Sequence, residues 1–459
     1  MKHIIEGKLT LRDMGTNVTH RFAVPEGVGT LRFAFSHVPH HPGVGAIPHQ
    51  LSLSVYGPNG ACGTRHNSKD QNPVISKEWA SLGFLKGAIE AGEWEVEIDV
   101  HRILPPGNIS YRVEVSWTAD ETVVTSDDPL PALPTKNKSR GPGWYTGDLH
   151  GHTKHSDGDY SPAEYLAVAH ERSYDFVCLT DHNTFTGVQE LKQLAGNGIT
   201  VIGGVELTTF YGHAVVLGLD GWIEWRIRDG ETMSALAIEL QKKGALYIIA
   251  HPKSEDRPFC PGCRWAYSDM LPGPARHVEV WNNSWISRGN NEQAVLQFYQ
   301  WLNTGLRMVA TGGTDTHRPM PETFRIAQNR VYAQDNTQEE ILAAVTRGHS
   351  YVTCGPVLRF DAVASDGTQT GMGDIASPGS LAIRCGWDDL GDPSEPLEAI
   401  LISQSKKVKR WDCAARNDVS IEIAAEAGQW FVLELRNRDG ELYALSNPIF
   451  VGQNAHDWK

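Results

Sequence analysis

Over residues 1–128, short runs of alternating apolar and polar residues recur between turn signals. They are Thr19-His-Arg-Phe-Ala-Val, Leu31-Arg-Phe-Ala-Phe, Leu51-Ser-Leu-Ser-Val-Tyr, Trp94-Glu-Val-Glu-Ile-Asp-Val and Tyr111-Arg-Val-Glu-Val-Ser-Trp. A period of two sends successive side chains to opposite faces, as half-buried strands require. Pro-Glu-Gly at 25–27 and Gly-Pro-Asn-Gly at 57–60 supply turns. The spacing predicts an N-terminal β-sandwich or jelly roll. His37, His40, His41 and His49 fall in a Pro/Gly-rich loop and read as solvated. Residues 129–142 lose all periodicity and read as a linker.

From 143 to 354 the pattern changes to strand–helix alternation. Apolar runs end at 149, 180, 205, 218, 250, 281 and 311, which gives seven candidate strands. Ser161-Pro162-Ala163-Glu164 has the residues of a helix capping box, with proline at the first helical position. Thr232–Lys243 and Asn291–Asn303 are helical patterns that stop near Gly244 and Gly305, and Thr337 opens another that runs to Gly348. Such alternation predicts parallel strands in a sheet or barrel. Residues 355–459 return to alternating runs (Leu381-Ala-Ile-Arg-Cys, Ala399-Ile-Leu-Ile-Ser, Trp430-Phe-Val-Leu-Glu-Leu) and predict a second, smaller β-sandwich.

Composition narrows the function classes. Hydrophobic residues at 40% and charged residues at 21% suit a globular chain of two or three domains. A net charge of −14 disfavours nucleic acid or a membrane surface as the partner, so a small-molecule substrate is expected. A homo-oligomer is compatible with the sequence. No apolar run approaches the ~20 residues of a membrane span. MKHIIEGKLTLRD becomes charged too early for a signal peptide, and the expected location is cytoplasmic. Seven scattered cysteines form no disulfide framework, and Cys260-Pro-Gly-Cys263 reads first as loop thiols and second as a disulfide or metal clip.

The chemistry lies where the central apolar runs end. In Gly147–Gly158, GDLHGHTKHSDG, His150 and His152 alternate with Leu149 and Gly151 and can project from one strand face. Asp157 follows in turn-forming Ser-Asp-Gly-Asp, with His155 as the alternative loop ligand. Further runs end on His182, on Glu206, on His251 and on Asp315-Thr-His317, and one opens with His213. At the C-terminal mouth of a barrel these residues would become neighbours. Buried singly they would be costly, and a shared metal cluster satisfies them together. Asp148 and Asp181, each beside a histidine, are expected to orient imidazoles.

The series DLHGHTKHSDG, LTDHNT, GVELTTFYGHAVVLGL, AHP, VEVWNN and GGTDTH resembles the polymerase and histidinol phosphatase (PHP) superfamily of metallohydrolases. The most similar branch is the carbaryl-hydrolase-like one, whose members end in a phrase like Leu445-Ser-Asn-Pro-Ile-Phe-Val. The resemblance is firm over about 144–355, looser beyond, and does not reach the N-terminal region. It implies a distorted (β/α)7 barrel holding two or three divalent ions (Zn, Mn or Fe). Carried residue by residue, it implies His150, His152, Glu206 and Asp315 around a first metal, and Asp157, His182 and His317 around a second. His213 and His251, with Glu206 bridging, would hold a third, and the family spacing favours Asp157 over His155.

Such ions activate water and polarise the acceptor, so no protein nucleophile is needed, and no GxSxG motif is present. His317, Asp157 or His182 could pass the proton to the leaving group. A phosphoesterase also needs cations for the non-bridging oxygens. Arg318 is the foremost candidate, followed by Lys253, Arg257, Arg264 and Arg288. Trp281 and Asn282 are candidate substrate contacts, and Trp285, Phe259 and Trp265 could line an aromatic pocket for a carbamate or ester. Phosphoester hydrolysis is the favoured expectation, with carbamate or carboxyl-ester hydrolysis second. A non-catalytic metal-dependent binding module comes third, because the ligand set is complete.

Overall fold

The computed structural model describes residues 2–43, 47–66, 70–121, 139–196, 198–227, 231–320, 324–391, 396–414 and 417–452. Residues 129–138 of the expected linker lie outside the described residues. Among the described residues no helix is long and apolar enough to cross a membrane.

The N-terminal alternation builds two four-stranded antiparallel sheets. One has the order Lys2–Leu9, Ile109–Thr118, Thr30–Val38, Val74–Ser76, and the other Asn17–Val24, Gly92–Arg102, Gln50–Gly57, Gly60–Thr64. Leu31, Phe33, Leu53, Val55, Val96, Ile98, Val113 and Val115 enclose a shared core. Gly92–Arg102 departs from the one-face rule. Val96, Ile98 and Val100 point into this core, yet Glu97, Asp99 and His101 on the opposite face are each only 1% exposed. That face packs on the central region, where Arg226 Nη1 donates to Glu97 Oε2 at 2.8 Å.

The seven expected central runs are all strands. In sheet order they are Gly143–Asp148, Phe176–Leu179, Thr200–Thr208, His213–Leu217, Leu246–Ile249, His277–Asn282 and Val309–Gly313. The two ends of this row approach each other beyond the last strand. Gly151 bridges Thr316 in parallel, and Asp315 N–H donates to the His150 carbonyl at 2.9 Å. The region is mixed α/β, and the expectation of parallel strands needs correction at one strand. His213–Leu217 follows Thr200–Thr208 directly and is antiparallel to both its neighbours.

The helices Pro162–Glu171, Met233–Lys242, Asn291–Asn303 and Gln338–Arg347 form where expected. Ser161, Thr232 and Thr337 cap three of them by accepting from the third residue onward, a contact of about 1 kcal/mol each. A further helix, Thr186–Ala195, is preceded by Phe185, which makes no side-chain cap, so the sequence carries no start signal for it.

The C-terminal strands do not form a separate sheet pair. Ser350–Thr353 pairs with Leu442–Ser446, so the central sheet runs across the expected 354/355 boundary into Trp430–Asn437, Leu397–Ser403 and Lys406–Asp412. A four-stranded sheet, Gln369–Gly371, Val357–Ala364, Gly379–Asp388 and Asp418–Ala425, packs on this extension through Phe360, Ile383, Trp387, Leu401 and Leu433.

Candidate metal centre

Three parallel strands lead their C-terminal ends toward one mouth with His150, His182 and Glu206, the last two linked by a backbone bridge. The reversed strand delivers the same result from its beginning. Because His213–Leu217 runs antiparallel, its first residue lies beside Thr208 at that end. His251 and Asp315 are held at φ 25° and 48°, a left-handed backbone that costs non-glycine residues about 1–3 kcal/mol each. Gly313 is required by close approach, since a Cβ there would meet Glu279 Oε1 and His150 Cβ.

Glu206, with 0% exposure, stands at the centre. Its Oε1 lies 2.9 Å from His213 Nδ1 and 2.9 Å from His251 Nε2. Its Oε2 lies 3.3 Å from both His150 Nε2 and His152 Nε2, and 2.9 Å from His182 Nδ1. Asp315 Oδ1 faces the same two nitrogens, at 3.4 Å from His150 and 3.0 Å from His152. Asp157 Oδ1 is 3.1 Å from His317 Nε2 and 3.4 Å from His182 Nε2. All nine candidate ligands therefore meet. They fall into overlapping donor groups: His150, His152, Glu206, Asp315; His152, Asp157, His182, His317; and His182, Glu206, His213. A fourth group, His150, His251 and Glu279, adds a residue the sequence reading did not single out.

Some of these contacts are hydrogen bonds, as His213 and His251 make to Glu206 Oε1, while others have the spacing of ligands on a common ion. His150 Nε2 and Glu206 Oε2 lie 3.3 Å apart, and each is buried without a hydrogen bond, as is His213 Nε2. Donors about 2.0–2.2 Å from one divalent ion sit about 3.0–3.5 Å from each other. Imidazole and carboxylate together fit Zn, Mn or Fe.

Electrostatics tie the groups together. Burial alone would raise the Glu206 carboxyl, but His182, His150 and His213 hold it well below its usual range. Burial likewise opposes the charge on His251, and the Glu206 contact prevails, raising it to about 9. His213 goes the other way, lowered by burial to about 4. Around this set, Glu279 accepts at His150 Nδ1 (3.0 Å) and from the His251 backbone N–H (3.0 Å), fixing one ring and the backbone that carries another. It sits inside the apolar run of His277–Asn282, where nothing in the sequence separates it from a buried strand position.

Several expectations change. His155 is turned away, with Nδ1 2.8 Å from Thr186 Oγ1 and Nε2 3.5 Å from Glu190. Asp148 accepts from Thr314 and the His150 backbone, and Asp181 from Thr153 and Ser156, so both brace loops where ring contacts were expected. Trp281 is fully buried in the core against Trp285. A bulge between Glu279 and Trp281 turns Asn282 toward the site in its place. Asn282 Nδ2 donates to Glu279 Oε2 (3.2 Å) and Asp315 Oδ2 (3.1 Å). Trp265 is buried, donating to the Met270 carbonyl, while Phe259 is exposed.

Lys253 donates to Gln297, Arg264 to the Ser254 carbonyl, and exposed Arg288 lies over Phe259 near Glu255. Arg257 and Arg318 are exposed. Cys260 and Cys263 are joined in a disulfide, correcting the loop-thiol expectation, and His251 Nδ1 lies 3.2 Å from the Cys263 carbonyl.

Fold and site thus define a protein with a buried, multi-carboxylate, multi-imidazole centre at the mouth of a strand row. Residues 148–253 match the PHP domain. An uncharacterized protein of Methanocaldococcus jannaschii is 33% identical over 125 residues, 25% of this chain and 69% of that protein. Residues 148–253 thus belong to the PHP domain family. It is also 37% identical over 78 residues to a 3′,5′-nucleoside bisphosphate phosphatase of Chromobacterium violaceum, spanning 16% of this chain and 27% of the phosphatase. A 5′-3′ exoribonuclease of Haemophilus influenzae is 40% identical over 63 residues, 14% of this chain and 23% of that enzyme. Among solved structures, a two-domain protein of Bacteroides vulgatus containing a predicted PHP-like metal-dependent phosphoesterase is 15% identical with a TM-score of 0.39. That likeness covers 70% of this chain and 100% of that one.

Proposed function

We propose that this protein is a metal-dependent hydrolase of small phosphoesters, using two or three divalent ions (Zn, Mn or Fe) held by the nine candidate ligands. The seven-strand region is read as the family's distorted (β/α)7 barrel. The observation that carries the proposal is one buried carboxylate, Glu206, shared by two of the four donor groups, with gaps of ligand–ligand length to His150 and His152. Ions there would supply Lewis acidity toward the substrate and make water nucleophilic near neutral pH.

The protein's own residues do the rest. Glu206 ties the donor groups into one centre, and Glu279 locks the rings of His150 and the backbone of His251. His317 is the most open of the nine at 27% side-chain exposure. In a centre whose ions leave His317 unligated, its Nε2, 3.1 Å from Asp157, would hold a proton for a departing alkoxide. Asn282 offers an amide beside Asp315, and Arg318 stands on the exposed loop after His317. The net charge of −14 favours a small ester over a polyanion, although one relative is an exoribonuclease.

The test is turnover of bis-p-nitrophenyl phosphate, p-nitrophenyl phosphate and 1-naphthyl methylcarbamate by metal-loaded protein, with elemental analysis alongside. Hydrolysis of either phosphate is expected. Carbamate turnover with both phosphates untouched would move the protein to carbaryl-hydrolase-like chemistry. A protein that binds no metal and turns over none of the three would end the reading.

A further inference from the structure

Two histidines outside the nine approach the centre from the N-terminal sheets. His66 follows strand Gly60–Thr64 and is 5% exposed. Its ring lies 4.7 Å from that of His182 and meets the ring of His101 edge-on at 4.4 Å. His101, 1% exposed, also packs on Phe210 at 5.2 Å, and neither of its ring nitrogens has a hydrogen-bond partner among the described residues. The two units are pinned together nearby. Arg102 Nη1 donates to the Pro258 and Phe259 carbonyls, both at 2.9 Å, and Gly83 N–H donates to Thr186 Oγ1 at 3.1 Å.

Packing alone is a poor reason for His101, both of whose ring nitrogens are buried without a partner among the described residues. A buried, unpaired ring N–H costs about 1–3 kcal/mol, and a phenylalanine would fill the same space without that cost. Neither His66 nor His101 joins any of the donor groups found among the described residues. The His66 ring, lying against a candidate ligand yet outside every donor group, is placed to serve the substrate. We infer that the N-terminal sheets complete the active site: His66 donates a hydrogen bond to a phosphoryl oxygen beside Asp157 and His182, and His101 positions its ring. This rests on the hydrolase reading above.

The experiment compares His66→Phe, His66→Gln and His101→Phe with the parent, all metal-loaded. It measures metal content, unfolding midpoint, kcat/KM for the p-nitrophenyl phosphates, and affinity for inorganic phosphate. His66→Phe preserves ring packing. It is expected to keep metal and midpoint, lose about 10²-fold in kcat/KM, and weaken phosphate binding. His66→Gln should recover part of both losses. His101→Phe should lower kcat/KM by about 10-fold while raising the midpoint, because two unpaired nitrogens are removed. A purely structural pair would move the midpoint alone, so kcat/KM and phosphate affinity within twofold of the parent would overturn the inference. If His66→Phe fails to fold, His101→Phe decides by the same criterion. If the parent hydrolyses none of the esters, the hydrolase reading fails separately, and phosphate affinity decides; no binding, or binding unchanged by His66→Phe, overturns it.

Discussion

Two buried charged networks sit in this molecule, and they are built on different chemistry. Where the central helix Asn291–Asn303 meets the C-terminal strands, Glu434 is 3% exposed and accepts from Tyr299 (2.5 Å) and from Arg436 Nε (2.7 Å). Arg436 Nη1 donates to Glu292 (2.7 Å) and the Gly440 carbonyl (2.6 Å). Burial opposes the arginine's charge, but Glu434 and Glu292 outweigh it and keep it protonated. This network closes on protein groups.

At the strand-row mouth the ion-pair partners of Glu206 and Asp315 are imidazoles, where Glu434 has an arginine. Burial of charge is therefore not itself a sign of function. What distinguishes the two places is whether the partners are fixed cations or titratable, metal-competent rings.

Glu206→Gln should break the comparison at its centre. It preserves shape but removes the charge shared by two donor groups. Metal content should collapse, and phosphate-ester turnover should fall on the order of 10³-fold. Elemental analysis beside kcat/KM checks this, and a variant with full metal and near-parental turnover would count against Glu206 as the shared ligand. Arg436→Met should do the reverse. Breaking a buried pair costs about 3–5 kcal/mol, so the unfolding midpoint drops while metal per folded molecule and kcat/KM stay. Thermal unfolding and elemental analysis on one preparation separate the two outcomes.

Much of the mouth was legible because its chemistry is punctuated by strand ends. His150, His182, His251 and Asp315 terminate apolar runs, and a run that reverses direction, as His213–Leu217 does, still presents its first residue there. The illegible parts depend on tertiary contacts. Glu279 hides in a run of buried residues. Trp281 and Asn282 exchange faces through a bulge that periodicity does not reveal. The helix Thr186–Ala195 has no capping side chain to announce it. Glu97, Asp99 and His101 look like a strand's solvent face until a second unit covers them. The sheet's passage from Ser350–Thr353 into Leu442–Ser446 is a pairing across ninety residues that no local pattern encodes.

Glu279→Gln sharpens the comparison more gently. The residue touches His150 Nδ1 and the His251 backbone, so losing its charge should loosen the rings without removing a shared ligand. Metal affinity is expected to fall about 10–100-fold, the usual effect of removing a group that orients ligands. Competition with a chelator measures it. An unchanged affinity would reduce Glu279 to a packing role.

The smallest effect is set by pH, and it tells the networks apart without mutation. In metal-free protein His251 titrates near 9, against 6.5 in an unfolded chain, because Glu206 outweighs the burial that disfavours its charge. The folded state then holds this proton more tightly, so the stability it gives is complete below pH 6.5 and fades as pH rises through 9. Glu206, held well below 4.5, contributes above that value and is lost only as acid reaches its lowered pKa. Metal binding requires the same rings deprotonated, so loaded protein should lack the alkaline fade and instead release metal as pH falls. The Arg436 network stays charged throughout and supplies a flat background. Unfolding midpoints from pH 6 to 10 should therefore decline by a few degrees in the metal-free protein, at about 2–4 °C per kcal/mol, and not in the loaded one. Parallel curves would mean that His251 and Glu206 form an ordinary ion pair like Glu434 and Arg436, and that the mouth is no metal centre.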